Sequence, residues 1–87
     1  MKDAVMSLDT APLEGARQQL GLSVQDLWWR CLGLGGLLGQ ADLSDSLLGL
    51  QAIAPAEYDV VAQALNEAFM DRGGNHPVSY ADEADTG

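Results

Sequence analysis

The chain has 87 residues, 47% of them hydrophobic, with 13 acidic residues against four basic ones and a formal charge of −9. That length allows one small domain with a thin core, and acids spread from Asp3 to Asp85 disfavour nucleic acid and anionic membranes, which both attract Lys and Arg. The single cysteine, Cys31, excludes an internal disulfide, and no uncharged run is longer than Cys31 to Ala41, far short of the roughly 20 residues that span a bilayer.

Residues 1–8 read as a flexible leader. Lys2 is followed at once by Asp3, with no apolar run resembling a signal peptide, so a cytoplasmic location is expected. A first helix is predicted from Asp9 or Thr10, either of which can cap it, with Pro12 tolerated in the first turn. Leu13, Ala16 and Leu20 form its apolar stripe, and Gly21 can take the left-handed conformation that ends it.

Ser23 opens a second helix, with Asp26 three residues on as a variant of the capping box. Val24, Leu27, Trp28, Cys31 and Leu34 or Gly35 form its inward face; Trp29 and Leu32 form a neighbouring stripe. Adjacent residues on a helix point about 100° apart, so the two indoles can hardly share one small core. One anchors the fold and the other is free for a partner. The glycines at 33, 35 and 36 bring this helix to an end. The whole glycine-rich run to Gly39 lacks the Lys-Ser/Thr ending of a phosphate loop and follows no strand, so it reads as a helix end and a close-packed corner.

Asp42 is expected to cap a short third helix over Leu43 to Leu50, with Leu43, Leu47, Leu48 and Leu50 as its apolar positions. Pro55 suits the first turn of a fourth helix running to Arg72. There Tyr58, Val61, Ala62, Leu65, Ala68 and Phe69 keep the 3.6-residue period, while Asp59, Gln63, Asn66, Glu67 and Asp71 lie outward. Gly73-Gly74 stops it. Residues 9–74 thus form one all-α domain, a compact four-helix bundle or orthogonal array. Residues 75–87 form an acidic, partly disordered tail. The expected core centres on Leu27, Trp28, Leu65 and Phe69.

Three resemblances bear on function. The stretch Ala16-Arg17-Gln18-Gln19-Leu20-Gly21-Leu22-Ser23-Val24-Gln25-Asp26-Leu27 resembles the helix-turn-helix of phage-repressor-type domains. That resemblance implies a DNA-binding transcriptional regulator with Gln25, Asp26, Trp29 and Arg30 facing the groove. The set holds one cation and one carboxylate, where a groove reader needs several basic contacts, and Trp28 stands where the family places a small residue. Asp45-Ser46-Leu47 resembles the attachment motif of acyl and peptidyl carrier proteins, which implies phosphopantetheine on Ser46. The long loop before the serine and the long helix after it are both missing here. Ala64-Leu65-Asn66-Glu67-Ala68-Phe69 through Gly74-Asn75-His76-Pro77-Val78-Ser79-Tyr80 resembles a group of small acidic all-helical actinobacterial proteins of uncertain role, which implies no activity.

No catalytic or metal-binding constellation stands out. His76 and Cys31 are single and sit in different contexts, and zinc needs several such ligands. Asp42 and Asp45 lack the ligand spacing of a calcium loop. No cofactor is expected. The reading that remains is a small acidic regulatory or adaptor protein that binds another protein without catalysis. Trp29, Arg30 and Leu32 are the expected partner-binding residues. The partner is another protein with a basic surface, or a second copy of the chain.

Overall fold

A computed structural model of the chain describes residues 8–75 and 77–81. It contains four helices, α1 (Ala11–Leu20), α2 (Val24–Gly33), α3 (Gln40–Leu47) and α4 (Pro55–Asp71), and no strand among the described residues. α4 lies against both α1 and α2, and α3 closes the arrangement against α2 and α1. The protein is therefore a small helical bundle, as the periodicity predicts. None of the helices is long and apolar enough to cross a membrane.

Each helix begins by its own device. Ser23 Oγ accepts from the Asp26 amide at 3.0 Å, the cap read from the sequence. At α1 the two candidates divide the work. Asp9 Oδ1 accepts from the Ala11 amide at 2.9 Å, while Thr10 occupies the N-cap position without a side-chain cap. Its hydroxyl is spent elsewhere: buried, it donates to the Ser46 carbonyl at 2.6 Å and so ties the start of α1 to the end of α3. The expected cap of α3 is corrected. Gly39 holds that position and Asp42 falls in the first turn, where a carboxylate still suits the positive helix end.

All four helices end in one way. Gly21, Gly35, Gly49 and Gly73 have φ of 70°, 90°, 78° and 79°. Each lies in the left-handed region, and the following residue donates back to the carbonyl five positions earlier: Leu22 to Arg17, Gly36 to Cys31, Leu50 to Asp45 and Gly74 to Phe69. The expectation that α3 runs to Leu50 fails at Gly49. The helix stops at Leu47, and Leu48 and Leu50 turn out to solvent. α3 instead buries Leu43, Ser46 and Leu47, and Ile53 from the following loop fills the core in place of the outlying leucines. Gly36 is needed for space as well as turn geometry, since a Cβ there would meet the Cys31 carbonyl oxygen at 2.9 Å.

The core combines Leu13, Ala16 and Leu20 of α1 with Leu27 and Cys31 of α2 and a broad face of α4. Trp28 and Phe69, expected at its centre, are half-buried and pack against it. Asn66, expected to face outward, is 2% exposed. Its amide grips the backbone of Val78 twice, Nδ2 donating to the carbonyl at 2.9 Å and Oδ1 accepting from the N–H at 2.8 Å. Asp59 Oδ1 accepts from the Ala81 amide at 2.7 Å. Val78 and Ala81 are buried, so part of the segment read as tail is a strap laid along α4. The rest of that segment beyond 81, and the leader up to residue 7, lie outside the described residues.

Candidate protein-binding surface

The cap at Ser23 and the stop at Gly35 fix the register of α2. Leu27 and Cys31, four residues apart, then point into the bundle. That register divides the tryptophans. Trp28 lies half-buried on the core, and its indole Nε1 donates to the Leu38 carbonyl at 2.9 Å, holding the corner after the helix. Trp29 is turned away from the core and is 58% exposed. The two rings remain in contact, with centroids 5.0 Å apart and planes tilted by 53°. The exposed indole therefore leans on one that is anchored at both its face and its N–H.

Leu32, one turn along from Trp29, is 37% exposed, and Asp26 lies one turn before it. Arg30 is next to Trp29 in sequence but reaches sideways, its Nη1 standing 3.3 Å from Asp71 Oδ2 at the end of α4. Trp29 and Leu32 thus form an apolar pair on one face of α2, with Arg30 on its flank held by an exposed ion pair. Leu38 is half-buried against the core. Leu37 is fully outward, with its amide donating to Glu57 Oε1 at 3.1 Å. Sequence reasoning missed Leu48 and Leu50 as exposed apolar residues. The signal is Gly49, which has the same role as the glycines that end the other three helices.

The residues that carried other readings fall elsewhere. α1, Gly21 and α2 do form two helices joined by a tight turn, but the face that would enter a DNA groove offers Gln25, Asp26 and Trp29. Its single cation is already engaged with Asp71. Ser46 is 0% exposed, because Leu43, Ser46 and Leu47 at helical spacing form the inward stripe of α3. A hydroxyl buried there cannot be reached for attachment of a prosthetic group. Cys31 is also buried, and desolvation, assisted by the nearby Glu57 charge, pushes its thiol up to about 12. It is no thiolate nucleophile at neutral pH. His76 lies outside the described residues. No group of three or more His, Cys, Asp or Glu side chains able to hold a metal ion occurs among the described residues.

Comparison with protein families, with curated proteins and with solved structures finds no match to this chain.

Proposed function

We propose that the protein is a small acidic adaptor or regulator that acts in the cytoplasm by binding another protein through the Trp29–Leu32 face of α2. The observation that carries the reading is the division of the tryptophan pair. A small domain that anchors one indole by a hydrogen bond and leaves its neighbour outward presents the residue type most enriched at the energetic centres of interfaces. The charge of −9 favours a partner with a basic surface and speeds the encounter with it. Arg30 flanks the apolar pair and has a carboxylate partner to exchange when the surface closes.

The test compares tagged wild type with Trp29→Ala for retention of proteins from lysate of the source organism, with identification by mass spectrometry. Because Trp29 is mostly exposed, the variant should keep its helical melt within about 1 kcal/mol of wild type. A protein retained by wild type and lost by the folded variant supports the reading. Equal retention by both sinks it. If nothing is retained, sedimentation of wild type and variant examines the self-association route, with a dimer expected only for wild type.

A further inference from the structure

α1, α4 and the strap enclose a groove of about 540 Å³, away from the residues assigned to partner binding. Its volume falls in the range of small-molecule sites, about 300–1,000 Å³. Pro12, Phe69, Pro77 and Val78 supply apolar wall; the polar side chains are Asp9, Gln19, Tyr58 and Ser79, of which only Asp9 is a carboxylate.

Tyr58 is 1% exposed, yet its hydroxyl makes no hydrogen bond among the described residues. A phenol in that position normally finds a partner. Tyr58 is one of the residues that line the groove. Asp9 stands near it. One Asp9 oxygen accepts from the Ala11 amide at 2.9 Å, which fixes the carboxylate, and the other makes no hydrogen bond among the described residues. Among the described residues no Lys or Arg lines the groove.

We propose that this groove binds a small organic amine, its ammonium received by Asp9 and the Tyr58 hydroxyl and its apolar body lying along Pro12, Val78 and Phe69. Charge decides between possible occupants. Burial, together with the charges of Asp9 and Asp59, raises the Tyr58 phenol, so the hydroxyl stays neutral and the field at that end of the groove is negative. A carboxylate ligand is repelled there. A neutral ligand leaves the Asp9 charge unused, and an ammonium meets both acceptors with charge-assisted hydrogen bonds.

The test titrates phenethylamine into the full chain, followed by amide NMR, beside phenethyl alcohol and hydrocinnamate as neutral and anionic counterparts of similar shape. Saturable shifts are expected at Gly15, Val78 and Ser79 and not at the Trp29 indole. The amine should bind more tightly than the alcohol by about tenfold, and hydrocinnamate most weakly. Asn retains an oxygen for the Ala11 amide, so Asp9→Asn keeps the fold and removes only the charge. It should erase the preference for amine over alcohol. Tyr58→Phe should weaken the amine about fivefold, with its helical melt recorded to confirm folding. Equal binding of hydrocinnamate, shifts scattered outside the groove, an amine preference that survives Asp9→Asn, or no saturable shift at millimolar amine overturns the proposal.

Discussion

α2 and α4 are both amphipathic and both end on a left-handed glycine, yet they serve opposite purposes. α4 buries Tyr58, Val61, Ala62, Ala64, Leu65, Asn66 and Ala68, a set too broad for a single stripe. α2 buries only Leu27 and Cys31. The difference follows from their neighbours. α4 is covered by α1, by α2 and by the strap, and its alanines let those elements approach closely. α2 is covered by α4 and α3 on one side and keeps a free flank. In a domain this small, one helix carries the largest share of the core while another presents an indole to solvent. Damage to α4 should therefore cost stability, and damage to the outer flank of α2 should cost association.

The largest effect expected from that contrast is at Leu65. It is completely buried, and Leu65→Ala removes packing that a thin core cannot replace. A loss of about 2–5 kcal/mol is expected, read as the fall in the midpoint of a urea melt. Trp29→Ala is the matched deletion of a larger side chain and should cost far less. If the two variants melt alike, the division of roles between the helices is mistaken.

A smaller effect isolates the strap. Asn66→Ala removes both hydrogen bonds to Val78 and leaves a buried N–H and C=O to find water. The expected loss is about 2 kcal/mol, bounded by the free energy of docking the strap, since that segment can detach and rehydrate. Exchange of the Val78 amide with solvent should accelerate more than that of Leu65. A uniform acceleration through α4 would instead make the strap an inseparable part of the core.

The sequence made the helices legible because their signals are local. The 3.6-residue period of α4, the Ser23 cap and three of the four glycine stops lie within one or two turns of the residues that read them. Gly49 was passed over because Leu48 and Leu50 extended an apolar pattern across it, and a left-handed stop outranks two leucines. The non-local devices were invisible. Asn66 reads as a surface residue until Val78, 12 positions on, folds back across it, and Thr10 reads as a cap until the end of α3, 36 positions away, is set beside it. In the candidate surface, the 100° separation of adjacent residues showed that the indoles must part. The inward stripe of α2 puts Trp28 with Leu27 and Cys31, but whether Trp29 packs over the core or faces solvent is decided only by the tertiary fold, which leaves it 58% exposed. That Arg30 would be held by Asp71 is a tertiary fact with no trace in either segment.

The smallest effect has the opposite sign. Ser46 Oγ is enclosed without a hydrogen-bond partner among the described residues, while the Ser46 backbone carbonyl accepts from Thr10. Ser46→Ala deletes the unpaired hydroxyl and keeps the carbonyl, so the bond to Thr10 survives. It removes a desolvation penalty and substitutes a better helix former at an interior position, against a small loss of packing. A gain of about 1 kcal/mol is expected, a rise in melting temperature of roughly 4–8 °C for a domain of this size. Thr10→Val, which keeps the shape and loses the donor, should move the melt the other way. Destabilisation by Ser46→Ala would mean that the hydroxyl has a partner in solution, and would reopen that serine as a working residue at the end of α3.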